Sequence, residues 1–150
     1  MKKTIVSLII IVAFAAAGFS QSVIGRWKTI DDVSNKPKSV IEFRIVKDKA
    51  GKELLMGKIV KLFRQPNEDQ DPICDKCPDA RKNQKIMGMD IVTNLTRNGA
   101  GWSGDKGIID PDNGKIYDCK IWVDEKDANI LHVRGYIAFL YRTQTWYKEK

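Results

Sequence analysis

The sequence predicts an all-β protein, an antiparallel up-and-down barrel of about eight strands. Three observations lead there. Short runs of apolar and polar residues alternate with period two, as in Ile41, Phe43 and Ile45 against Glu42 and Arg44. Evenly spaced turn clusters rich in Gly, Asp, Asn and Pro separate those runs. An antiparallel meander of that many strands tends to close on itself, because closure removes exposed edges.

The N-terminus reads as a secretory signal peptide, residues 1–20. Met1-Lys2-Lys3 is basic, Thr4 to Ala17 is apolar and uncharged, and Gly18-Phe19-Ser20 supplies small residues for a cut after Ser20. The apolar run is shorter than the roughly 20 residues a membrane span needs, and no second one follows. A retained N-terminal anchor is the alternative. The expectation is therefore an exported chain, periplasmic, with residues 21–150 as a single β-barrel domain that is not transmembrane after cleavage. The net charge of +7 includes Lys2 and Lys3, and the remaining basic residues are interleaved with acids. No basic helix or aromatic–basic repeat of the kind that tracks nucleic acid occurs, which argues against a nucleic-acid partner.

The elements follow in order. Residues 23–30 form a short strand with Trp27 on one face, and 31–38 form a loop containing Ser34-Asn35 and Pro37. Residues 39–46 alternate, Asp48-Lys49-Ala50-Gly51 turns, and 54–63 return with Gly57 marking a bend or bulge. Residues 64–85 break the pattern with Pro66, Pro72 and Pro78, and carry Cys74 and Cys77; a loop of that length inside a compact domain is functional or mobile as a rule. Residues 87–95 are extended, on the strength of β-branched Ile91, Val92 and Thr93. Arg97-Asn98-Gly99-Ala100-Gly101 is a turn and 102–109 the next strand. In Asp110-Pro111-Asp112-Asn113-Gly114, Pro111 presets φ, the Asp and Asn side chains hold local bonds, and Gly114 permits φ > 0. Tyr117, Cys119, Ile121 and Val123 then alternate with Asp118, Lys120 and Trp122, and after a charged turn at 124–129 the strands 130–137 and 141–148 finish the chain.

Gly25-Arg26-Trp27 has the G-x-W form that opens lipocalin-type barrels, in which an Arg near the last strand covers the Trp; Arg142 is the residue expected in that place. A closer resemblance covers nearly all of residues 21–150. Gly25-Arg26-Trp27, Gly57-Lys58-Ile59, Cys74-Asp75-Lys76-Cys77, Asp110-Pro111-Asp112-Asn113-Gly114-Lys115-Ile116-Tyr117, Val133-Arg134-Gly135-Tyr136 and Arg142-Thr143-Gln144-Thr145-Trp146 occur together in this order. That set resembles a bacterial family of exported proteins catalogued as domain of unknown function 2147. The resemblance implies a lipocalin/calycin-like barrel and carries over no catalytic residue.

Cys74-x-x-Cys77 is the most conspicuous motif. In an oxidising compartment it reads as a disulfide. Loop-closure arithmetic gives that four-residue ring roughly 2 kcal/mol, against about 4 for a Cys77–Cys119 bridge, while sequence adjacency and an apolar strand setting for Cys119 favour Cys74–Cys77. A thioredoxin-like dithiol needs a strand-to-helix setting that Pro78 restricts. A structural zinc held by Cys74, Cys77, Cys119 and His132 is the other alternative, since Cys₃His is a known set. Asp110-x-Asp112-x-Gly114 lacks the twelve-residue pattern of a calcium loop, and no G-x-S-x-G run accompanies His132. Nothing therefore warrants a catalytic assignment or a cofactor.

The barrel interior is the remaining site. Trp27, Phe43, Leu54, Met56, Tyr117, Ile121, Val133 and Tyr136 are expected to point inward, with Arg134 supplying a charge if the face assignment shifts by one. The functional expectation is a binding protein for a small apolar or amphipathic ligand, with residues 64–85 as a lid. Two alternatives stand beside it: an envelope interaction or maintenance protein with a filled barrel, and a thiol-redox or zinc site at the CxxC loop.

Overall fold

In a computed structural model, which describes residues 22–150, the alternating runs form β1 (Gly25–Ile30), β2 (Pro37–Lys47), β3 (Glu53–Leu62), β4 (Asp90–Asn98), β5 (Gly101–Asp110), β6 (Lys115–Val123), β7 (Ile130–Ile137) and β8 (Leu140–Lys148). Each strand pairs antiparallel with the next, and β8 returns to β1, closing the barrel. The stretch read as a signal peptide lies outside the described residues. No helix among the described residues is long and apolar enough to cross a membrane.

Most strand starts fall within two residues of expectation, and that of β4 differs most. β4 begins at Asp90 because Met87 to Met89 form a turn, in which the Gly88 amide donates to the Ile59 carbonyl and the Ile59 amide to that of Met89. Gly57 does sit at an irregularity, where the β3–β4 register shifts on both sides of it. Its missing side chain matters as well. A Cβ there would lie 2.8 Å from Phe43 Cε1 and 3.0 Å from Val92 Cβ, so the core closes over bare backbone.

The interior has two halves. Around Trp27 it is filled by Ile41, Phe43, Leu55, Val92, Leu95, Ile121 and Leu131, all buried. The Trp27 indole N–H is satisfied by the Val23 carbonyl at 2.8 Å. The cation over the Trp27 ring is Lys148, with Nζ 4.6 Å from its centroid, and not Arg142. Register explains the exchange: Trp27 faces Lys148 across the β1–β8 seam, and Arg142 lies six residues back along β8, about 20 Å away on a strand.

The long β3–β4 connection is tied down. Cys74 and Cys77 form a disulfide, and both are buried. Around it the chain folds into a small hairpin: the Cys74 amide donates to Gln84, Asn83 to Cys74 and Ile86 to Pro72, with Ile73 bridged to Lys85. This hairpin packs on the β5–β6 turn, where Cys74 Sγ lies 3.2 Å from the Pro111 carbonyl oxygen.

Candidate functional site

The other half of the barrel is open, and holds a cavity of about 610 Å³. Strand alternation builds its walls. Ile59 comes from β3, Ile91 from β4, Ile109 from β5, Tyr117 from β6, Val133 and Gly135 from β7, and Gln144 and Trp146 from β8; Ile86, just before β4, adds another apolar wall. Inside, the buried hydroxyls of Thr29 and Ser39 bond one another at 2.8 Å. They are satisfied without a ligand, so this part of the wall offers little net polarity.

The rim carries charges in pairs. Lys38 Nζ meets Asp112 Oδ2 at 2.6 Å. Burial works against the Lys38 ammonium, but the bond to Asp112, with Asp110 and Asp31 nearby, outweighs it and raises the lysine above its ordinary range. Asp31 spends its carboxylate on its own turn, accepting from the Ser34 amide at 2.7 Å and the Ser34 hydroxyl at 2.8 Å, which holds it below the usual carboxylate value. Asp32 ties the barrel seam. The β1–β8 ladder has only two residue pairs, Trp27 with Lys148 and Lys28 with Tyr147. Beyond them the Asp32 carboxylate accepts from Gln144 Nε2 at 2.6 Å and pairs with Arg142. The Gln144 carbonyl oxygen accepts in turn from the Trp146 indole at 3.1 Å. Asp32, Arg142 and Gln144 all line the cavity, and strand alternation offers no signal for them, because Asp32 lies in the β1–β2 loop and polar residues on a strand read as outward-facing.

Of the residues expected inside, Tyr117 lines the cavity. Trp27 and Phe43 belong to the packed half and do not line it. Met56, Arg134 and Tyr136 are placed outside by parity. Leu55, Gly57 and Ile59 face inward on β3, so Leu54 and Met56 face out, Met56 against a shallow depression with Arg81 and Asn94. On β7 the inward set is Leu131, Val133 and Gly135; Val133 and Tyr136 are three apart and cannot share a face of a regular strand. Arg134 instead spans the outer rings of Trp122, at 5.1 Å, and Tyr141, at 4.4 Å, and Tyr136 packs on Tyr141. Of the expected lid, Arg64, Gln65 and Glu68 line the cavity mouth.

The four zinc candidates do not come together. Cys74 and Cys77 are bonded to each other, and Cys119 lies in the packed core. His132 is on the outer face, with Nε2 2.9 Å from Asp124 Oδ2 and its ring 5.2 Å from that of Trp122. Among the described residues no group of three or more His, Cys, Asp or Glu is placed to hold a metal ion. Burial pushes the Cys119 thiol up to about 12, so it carries no thiolate at neutral pH.

A closed eight-stranded barrel with this order of motifs matches the profile of the family described as "Uncharacterized protein conserved in bacteria (DUF2147)" over residues 25–148. The chain belongs to the DUF2147 family. Among solved structures, this DUF2147 barrel is similar to protein HP1028 from the human pathogen Helicobacter pylori, described as belonging to the lipocalin family. The TM-score is 0.65 at 16% identity, covering 86% of this chain and 84% of that one. At that identity the likeness speaks for the fold, which is lipocalin-like. No curated protein sequence matches the chain.

Proposed function

We propose that this barrel is an exported, periplasmic binding protein for a small apolar or amphipathic molecule, and that it performs no catalysis. The observation that carries the reading is the cavity of about 610 Å³ in a barrel whose other half is fully packed. Its size falls in the range of small-molecule pockets, and apolar walls with a few polar groups are what such pockets use. Ile59, Ile86, Ile91, Ile109, Val133 and Trp146 suit an apolar body, and Tyr117, Gln144 and the Lys38–Asp112 pair suit a polar end near the mouth. The filled-barrel alternative predicts side chains in this volume, and the thiol alternative predicts accessible sulfurs, whereas Cys74, Cys77 and Cys119 are all buried.

Native mass spectrometry of the protein isolated gently from its cells tests the reading. The expected result is a mass increment of one small organic molecule that is lost on unfolding. A bare protein that also fails to displace or take up an environment-sensitive fluorescent amphiphile would overturn it. The intact mass also reads the expected cleavage after Ser20.

A further inference from the structure

At the turn between β7 and β8 the chain reads Tyr136-Ile137-Ala138-Phe139-Leu140-Tyr141, where turn chemistry ordinarily places Gly, Asn or Asp. Ala138 even adopts φ +52°, a conformation L side chains rarely take. The turn presents its apolar groups to solvent: Phe139 is 89% exposed, Leu140 64% and Ile137 54%. Val33, on the β1–β2 loop, is 96% exposed, and its neighbour Asp32 is bonded to Arg142 and Gln144 at the start of β8. These side chains therefore belong to one side of the cavity rim, since Gly135, Arg142 and Gln144 line the cavity itself.

Behind the tip the chemistry changes in layers. Tyr136 and Tyr141 pack with ring centroids 6.0 Å apart, just inside the apolar turn. Next come the guanidiniums, Arg134 stacked over Tyr141 at 4.4 Å and bonded to Thr143 Oγ1 at 2.7 Å, and Arg142 paired with Asp32. Apolar tip, amphipathic rings, then cations is the sequence of environments met on leaving a bilayer through its headgroups. The shape agrees, because a convex two-residue tip has no groove to receive a protein segment. So does charge, since the chain carries +7 overall, and 7 − 2 = +5 without Lys2 and Lys3, and anionic lipid attracts cationic segments.

We infer that the β7–β8 turn, with Val33 beside it, docks the cavity rim onto an anionic lipid bilayer, Phe139 and Leu140 entering the interface and Arg134 and Arg142 resting among the headgroups. The docking stands on this surface alone; only the corollary that an amphiphile enters the cavity from the membrane rests on the binding reading above.

Cosedimentation with vesicles of equal parts phosphatidylglycerol and phosphatidylcholine tests it, using the protein as isolated, its N-terminus read by intact mass. The wild-type protein is expected to partition onto these vesicles, more weakly at high salt and onto pure phosphatidylcholine. Phe139→Ser/Leu140→Ser is expected to lower partitioning at least about tenfold, from the apolar area withdrawn. Its thermal unfolding should match wild type, because both side chains are exposed. In Phe139→Trp, the added indole's emission should shift to the blue on vesicle addition and be quenched by brominated lipid, a readout blind to any membrane affinity of the N-terminus. No partitioning by the wild type, equal partitioning by the double variant, or an unquenched indole would overturn the inference; a wild type found bound instead to a protein would do the same. Amphiphile uptake measured without vesicles should be unchanged in the double variant, so loss of uptake by the wild type would sink the binding reading and leave the docking surface intact.

Discussion

Gly114, in the β5–β6 turn, lies against the backbone of Lys76 so closely that a Cβ on it would sit 1.9 Å from the Lys76 carbonyl oxygen. Its φ of +73° is a second reason for glycine. The turn ties itself off locally, Asp110 accepting from the amides of Asp112 and Gly114 and from the Asn113 side chain. Its outer surface is thus preformed, and the cysteine hairpin packs on it.

Gly114→Ala should therefore be destabilising by about 2–5 kcal/mol, combining left-handed strain with a backbone clash. A urea titration measures it. The cost should shrink in a Cys74→Ala/Cys77→Ala background, because the cysteine hairpin is then free to move off the turn. The disulfide contributes roughly 2 kcal/mol by loop closure, so the double-alanine chain is expected to fold. Additive costs in the cycle would show that turn and hairpin are not energetically coupled.

Cys119 is expected to resist Ellman's reagent in the folded protein and react only on unfolding. Burial holds its ionisation at about 12 rather than the ordinary 9.0. A thiol whose folded value is raised contributes stability that is complete below about pH 9 and declines as pH rises toward 12. Cys119→Ser should be destabilising by about 1–3 kcal/mol, since the hydroxyl is left without a partner among apolar neighbours. Fast labelling of the native protein would contradict the placement.

These two sites differ in how far the sequence discloses them. The strands were legible because alternation of the Ile41-Glu42-Phe43-Arg44 kind reports a half-buried sheet directly. The cysteine pairing was legible from the proximity of Cys74 and Cys77 in the chain. The cavity was much less so, for three physical reasons. Face parity propagates errors, and one slip on β7 exchanges Val133 and Gly135 for Arg134 and Tyr136. Bulges break parity silently: Lys106 at φ +50° and Asn94 at φ +57° fall where the β4–β5 and β5–β6 registers shift. Finally, an interior Gly135 has no side chain to announce it, and Arg142 and Gln144 look solvent-facing until Asp32 is seen to hold them.

Acid should loosen the cysteine hairpin. Asp79 ionises at about 2, against an ordinary 3.8, mainly because the Arg81 side chain bonds both its oxygens, Nε lying 3.0 Å from Oδ1. Arg81 also donates to the Asp90 carbonyl at 3.2 Å, and Asp90 holds Arg44 through two bonds of 2.7 and 2.9 Å. Because the Asp79 value is depressed in the fold, its contribution is present above about pH 4 and is lost as pH falls through about 2. Asp79 itself is exposed, so the effect is small and screened by salt. Hydrogen exchange of the Asn83 and Ile86 amides, which bond to Cys74 and Pro72, should quicken relative to the barrel strands over that range. In Asp79→Asn the quickening should be absent, and an identical acid response in both chains would rule the pair out as its cause.

Gly135 offers the cleanest test of the cavity, because adding a side chain there meets no backbone. A Cβ at 135 would have Tyr117 Cβ at 3.5 Å as its nearest neighbour, an ordinary contact, and Gly135 lines the cavity on a regular stretch of β7. Gly135→Leu therefore places an isobutyl group in the cavity. Glycine in a strand interior weakens it by about 0.5–1 kcal/mol relative to alanine, so the variant should fold with equal or higher stability. Its uptake of a fluorescent amphiphile should nevertheless fall by about tenfold or more, the consequence of losing roughly a Leu side chain's worth of apolar contact. Stability and binding thus move in opposite directions, which a merely damaged barrel would not do. Unchanged uptake with a stable fold would mean that the amphiphile binds somewhere other than this cavity.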